Sequence, residues 1–283
     1  MSFYDVKVQK TVKTKKKRLY FYYFCTFMEK KERILEICAD SVCNAVIAQT
    51  AGAHRIEFCA NLPEGGTTPS PAQIEFARKK LHVKLYVIIR PRGGDFLYND
   101  TEFEIMKSDI HFCGKTGCDG IVIGMLHSDG TVDKERNREL IEIAHQYVMG
   151  VTFHRAFDRC VDLFRAMETI IEMGCERILT SGGYDTANEG ADVIRKLIEK
   201  AGERIIIMPG SGITPENVTD LIRNTGAKEI HGTFRSSYPS SMIYRNEKLS
   251  RPDEEYVLAH PDAKKVRHVL DCFASLAMTM RQI

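Results

Sequence analysis

At 283 residues, 43% hydrophobic and 28% charged, the chain has the composition of a soluble globular protein, and no stretch approaches the ~20 apolar residues of a membrane span. The net charge of +2 hides an asymmetry: residues 1–30 carry eight Lys or Arg against two acids, which leaves a mildly acidic body with 32 basic and 36 acidic residues and argues against a nucleic-acid-binding face. Nine cysteines are scattered without a CxxC pair, which excludes a zinc ribbon or a dithiol redox motif and predicts free thiols in a cytosolic setting.

In chain order, residues 1–30 form a basic extension and residues 31–283 a single domain. The block Lys13, Lys15, Lys16, Lys17, Arg18 suits a nuclear import signal or a patch for an anionic surface, but the favoured expectation is a solvated, disordered extension. An apolar run, 19–27, follows. Basic-then-apolar order imitates a signal peptide, but Glu29, Lys30 and Lys31 come next without a small-residue cleavage site, so secretion is not expected. From there short apolar segments alternate with amphipathic ones. The predicted strands are 33–38, 55–59, 84–90, 119–124, 150–154, 176–180, 204–208 and 229–231. Among the predicted helices, 133–146 places Leu140, Ile141 and Ala144 on one face.

One phrase recurs. Gly52-Ala-His-Arg-Ile, Gly117-Cys-Asp-Gly-Ile, Gly174-Cys-Glu-Arg-Ile and Gly226-Ala-Lys-Glu-Ile each close a helix with glycine and open an even-numbered strand. Their spacings of 65, 57 and 52 residues each hold two strand–helix units, and four such pairs give an α/β fold of the (β/α)₈ TIM-barrel type. A doubly wound open sheet is the competing topology, because alternation does not encode strand order. Helix starts are predicted at Asp40-Ser41, Ser70-Pro71 and Thr214-Pro215. Residues 232–260 break the rhythm and predict a long irregular flap after strand eight, before a last helix over 262–280.

Barrel chemistry gathers at the C-terminal ends of the strands. Strand one ends on Glu36 and Cys38 and strand two on Glu57 and Cys59, so period-2 alternation turns Glu36 and Glu57 inward on neighbouring strands. Two adjacent carboxylates need a cation or a raised pKa, and Arg90 on strand three is the expected cation. Arg90, Arg92 and the following glycines suit an oxyanion, as does the loop Gly210-Ser211-Gly212 after strand seven. His154, with Asp158 beyond it, is a candidate general base or metal ligand, and His231 ends strand eight. No lysine falls at a strand end, which disfavours a Schiff-base aldolase.

The phrases at 35–41 (LEICADS), 55–68 (RIEFCANLPEGGTT), 89–98 (IRPRGGDFLY), 151–158 (VTFHRAFD), 177–182 (RILTSG) and 208–214 (MPGSGIT) resemble the CutC family of copper homeostasis proteins, from about Arg33 to the C-terminus. The resemblance implies a TIM-type barrel, a cytosolic and also nuclear address, a homo-oligomer and a part in copper tolerance. It also implies Cu(I) ligands at Cys38 and Cys59. Where animal members carry Cys-Ser-Ala after the strand-eight histidine, this chain has Gly232-Thr233-Phe234, which removes one thiol.

Two functions follow. Cu(I) prefers thiolates, and neighbouring strands stand about 4.8 Å apart, so Cys38 and Cys59 can share one ion if they are level. The alternative is an enzyme that acts on a small phosphate-bearing metabolite, with Glu36, Glu57, Arg90, His154 and Asp158 as catalytic candidates and Arg92, Gly210, Ser211 and Gly212 as the anion site. No membrane or nucleic-acid partner is expected under either.

Overall fold

The computed structural model describes residues 33–246, 248 and 256–279. The basic extension, its apolar run and the end of the last helix at Met280 lie outside these residues. Eight strands, β1 Ile34–Ala39, β2 Arg55–Phe58, β3 Lys84–Ile88, β4 Gly120–Ile123, β5 Gly150–Phe153, β6 Arg177–Thr180, β7 Ile206–Pro209 and β8 Glu229–Gly232, alternate with helices. These are α1 Val42–Ala51, α2 Pro71–Lys80, α3 Asp100–Thr116, α4 Lys134–Gln146, α5 Leu163–Met173, α6 Ala191–Ala201, α7 Val218–Thr225 and, after a break, α8 Ala263–Thr279.

All the ladders among β1–β8 are parallel, and β1 pairs with both β2 and β8. β7 and β8 end the hydrogen-bonded order yet lie side by side, so the sheet curls into a ring and the open-sheet topology does not occur. Buried on both faces, the strands read as near-continuous apolar runs.

The recurring glycines do what their position suggested. Gly52, Gly117, Gly174 and Gly226 are C-caps of α1, α3, α5 and α7 with φ of 111°, 80°, 92° and 74°, the left-handed region that only glycine enters cheaply. The fourth residue of each phrase, Arg55, Gly120, Arg177 or Glu229, begins an even-numbered strand at the N-terminal end of the barrel. Alternate strands fill a barrel in layers. Here three members of one layer are charged and the fourth is glycine, because a Cβ at position 120 would stand 2.3 Å from the ring of Tyr86 on β3.

Ser41 and Ser70 cap α1 and α2, the latter in a capping box with Gln73 and with Pro71 at the first turn. Two expectations are corrected. Thr214-Pro215 does not open a helix. The Thr214 N–H donates to Asn217 Oδ1, the chain turns, and α7 starts at Val218. Residues 232–260 are not wholly irregular: β9 Arg235–Pro239 pairs antiparallel with β10 Val257–Pro261. This ribbon is tied to the end of β1 and the start of α1 by Arg235–Asp40 at 3.1 Å and by a 2.7 Å bond between His260 Nδ1 and Asn44 Oδ1. No helix among the described residues is long and apolar enough to cross a membrane.

Candidate functional site

The lower barrel interior is an ion-pair network. Arg55 on β2 donates from Nε to Glu36 of β1 and from Nη2 to Glu229 of β8. Arg177 on β6 donates to Glu229 at 2.9 Å and to Thr152 Oγ1 at 3.2 Å. Both guanidinium carbons lie 5.3 Å from the centre of the Tyr86 ring, whose hydroxyl donates to Glu176 at 3.1 Å. Register places these groups, since Glu36 is level with Arg55 and His231, whereas Cys38 is level with Glu57. The two carboxylates expected side by side are thus one layer apart.

The His231 ring bridges those layers. Its Nδ1 is 2.7 Å from Glu36 Oε1, and its Nε2 is 3.5 Å from Glu57 Oε2. Burial works against a charged imidazole, but Glu57 and then Glu36 outweigh it and raise the His231 pKa. Burial also pushes Glu36 up, yet Arg55 and His231 reverse the sign and hold it well below the usual carboxylate range. Glu57 comes out raised: burial and the Glu36 charge exceed the pull of His231. The cations that serve Glu36 and Glu57 are therefore Arg55 and His231 and not Arg90.

Above this layer the two thiols meet. Cys38 Sγ and Cys59 Sγ are 3.5 Å apart and buried, with Tyr86, Ile88 and Val122 packed around them. The hydrogen bond with Cys59, then burial and the nearby Glu57, raise the Cys38 thiol well above its ordinary pKa. Cys38 Sγ, a Glu57 oxygen and a His231 nitrogen also lie within 4.8 Å of one another, a second buried donor set that shares Cys38. All eight cysteines among the described residues are free. At position 232, where a third thiol was absent from the sequence, a Cβ would stand 2.6 Å from the Phe234 ring, so glycine and phenylalanine fit there as a pair.

A cavity of about 420 Å³ opens at the C-terminal mouth, lined by Cys38, Glu57 and His231 on one side and by Arg90, His154 and Arg159 on another. Arg90 is buried and organises loops, donating at 2.8 Å to the carbonyls of Glu64, Gly66 and Gly94 and stacking 5.1 Å over the Phe96 ring. His154 Nδ1 accepts from the Ala156 N–H at 3.2 Å, and burial, then the Arg90 charge, push its pKa down to about 3. The ring is therefore neutral with its proton on Nε2. Asp158 is occupied by Thr180 Oγ1, the N–H groups of Ser181 and Gly183, and Arg155 at 2.8 Å. It braces the mouth without lining it. Ser211 and Gly212 line the cavity, while Gly210 packs beside His231 and Leu179. Arg92 points elsewhere, to Glu102 at 2.6 Å and Asp95 at 2.9 Å, over the Tyr98 ring.

Sequence reasoning missed Arg55, Arg177 and Glu229 as interior charges and Arg159 as a mouth residue. The signal for the first three was present: a charge at the same place of a repeated phrase, opening an otherwise apolar strand. Nothing marked Arg159, which comes from the short 3₁₀ turn Arg155–Arg159 after β5.

Fold and site together define a TIM barrel whose mouth joins a buried thiol pair to an imidazole–carboxylate cluster. The chain belongs to the CutC family, whose model matches residues 33–236. It is 45% identical over 238 residues to the human copper homeostasis protein cutC homolog, which covers 83% of this chain and 86% of that one. A CutC family protein of Chromobacterium violaceum is 44% identical over 239 residues, 83% of this chain and 96% of the relative. The crystal structure of a copper homeostasis protein CutC from Streptococcus agalactiae superposes with a TM-score of 0.68 at 36% identity, over 71% of this chain and 98% of that one. A phosphoribosyl anthranilate isomerase from Thermotoga maritima, 14% identical with a TM-score of 0.52 over 86% of this chain and 99% of that one, shares the fold alone.

Proposed function

We propose that this chain serves copper homeostasis by holding Cu(I) between Cys38 and Cys59. The observation that carries the reading is the 3.5 Å approach of two buried sulfurs at the ends of neighbouring strands. Soft thiolates select Cu(I) over the harder divalent ions. With metal–sulfur bonds of roughly 2.3 Å, sulfurs 3.5 Å apart subtend about 100° at the ion. That angle suits three- or four-coordination better than a linear pair, and Glu57 or His231 stands beside Cys38 to complete it. The names of the human and bacterial relatives support the same role.

The surroundings suit the charge. Cu(I) with two thiolates is a net anion. When Glu57 rather than His231 completes the coordination, the carboxylates that raise the His231 pKa favour a positive ring whose nitrogen lies within 4.8 Å of Cys38 Sγ. Each bound thiolate gives up a proton, and the raised Cys38 pKa makes that proton compete with the metal. Apparent affinity therefore rises with pH, by about tenfold per pH unit for each proton displaced.

Titration with Cu(I) against a competing chelator tests the site. Cys38→Ser with Cys59→Ser is expected to weaken binding at least about a hundredfold. A double variant that binds as tightly as the parent places the copper elsewhere.

A further inference from the structure

Two donors in the wall of the mouth have no acceptor. His154 Nε2 and Arg90 Nε are both buried nitrogens without a hydrogen-bond partner, and both residues line the cavity. The two side chains flank one ring: His154 is 4.9 Å from the Phe96 centroid and Arg90 5.1 Å. Because His154 Nδ1 already accepts from Ala156, its remaining nitrogen can only donate. Buried polar groups are nearly always satisfied, so two orphan N–H donors on residues that line one cavity call for an acceptor that the chain does not supply.

The rim adds charge. Arg155 is bound to Asp158 and Ser181, but the exposed Arg159 makes no ion pair or hydrogen bond with any described residue. Arg159 also borders a second cavity, of about 510 Å³, that shares Gly94 and Phe96 with the first. The acids that line the mouth are Glu64, at the exposed rim, and Glu57, which His231 faces. Between these polar groups Phe96, Ile88 and Leu179 offer apolar surface.

We propose that the barrel mouth is a binding site for a small organic anion, its carboxylate or phosphate held by the Arg159 guanidinium and the His154 N–H, its apolar body lying against Phe96. Ligand sites of this kind are apolar clefts of about 300–1,000 Å³ with a few convergent polar groups, and this cavity falls in that range. The neutral histidine suits the role because it donates one directed hydrogen bond without adding a buried charge next to Arg90. The proposal does not depend on copper, since none of these groups is a thiol ligand.

Isothermal titration of the full-length, metal-free protein with phenyl phosphate, benzoate and uncharged benzamide, at constant ionic strength, tests it. At least one anion is expected to bind and benzamide not to. Binding of phenyl phosphate alone assigns the site to phosphate esters, and binding of benzoate alone assigns it to carboxylates. Arg159→Ala, an exposed position that folding does not depend on, is expected to weaken binding by about tenfold or more, the value of one charge-assisted contact. The ¹⁵N resonance of His154 Nε2 is expected to shift on titration. Absence of binding by both anions, equal binding of benzamide, or anion binding that neither Arg159→Ala nor the His154 resonance registers would overturn the assignment.

Discussion

The lower and upper halves of the barrel interior are filled in opposite ways. Below, Arg55 and Arg177 share Glu229, Arg55 also holds Glu36, and Tyr86 lies under both guanidinium groups. Above, Arg90 and His154 keep orphan nitrogens, Glu57 has a raised pKa, and two thiols face each other. Barrels commonly keep stability at the N-terminal face and chemistry at the C-terminal one. Here the division shows in hydrogen bonding: paired charges knit the lower layer together, and the nitrogens without partners gather above it.

Three measurements can break or sharpen this contrast. The largest effect is expected from Glu229→Ala, which strips the shared partner from two buried arginines. A stability loss of about 3–5 kcal/mol should appear in urea unfolding. A loss below about 1 kcal/mol would mean that the lower network is dispensable and the contrast wrong.

Next comes the acid response of His154. Its folded pKa of about 3 lies below the ordinary 6.5, so between those values the unfolded chain binds a proton that the native state refuses. Stability should therefore fall as pH drops through 6.5 and level off near 3, with a slope of up to about 1.4 kcal/mol per pH unit from this group. Chemical denaturation at a series of pH values should show a shallower acid limb for His154→Gln than for the parent. Parallel limbs would mean that the ring takes up its proton as readily in the folded chain as in the unfolded one.

The smallest effect is expected from Arg159→Ala, a rim change that should alter stability by no more than about 0.5 kcal/mol. A larger loss in thermal unfolding would make Arg159 part of the scaffold.

Much of this was legible in the sequence. The glycine phrases located four helix ends and four strands, because a left-handed C-cap needs glycine wherever it occurs. The ribbon of β9 and β10 was not legible: Arg-Ser-Ser-Tyr-Pro has no alternating pattern, and its partner strand lies about twenty residues on in the chain. In the site, the thiols and His231 were marked by strand ends. Their levels were not, because the stagger between neighbouring strands sets Cys38 against Glu57 and Glu36 against Arg55. Arg90 shows the same limit. Its place at the end of β3 was visible, but the three carbonyls that occupy its guanidinium belong to loops whose path only the folded chain defines.

The sulfur pair is lopsided. Cys38 borders the cavity, whereas Cys59 sits behind it with no exposed surface. Under the proposed copper reading, an ion entering from the mouth would meet Cys38 first and Cys59 second, and on departure it would part from them in the reverse order. Handover to another carrier would therefore run through a half-released state in which Cys38 alone still grips the metal and the incoming carrier approaches from the open side.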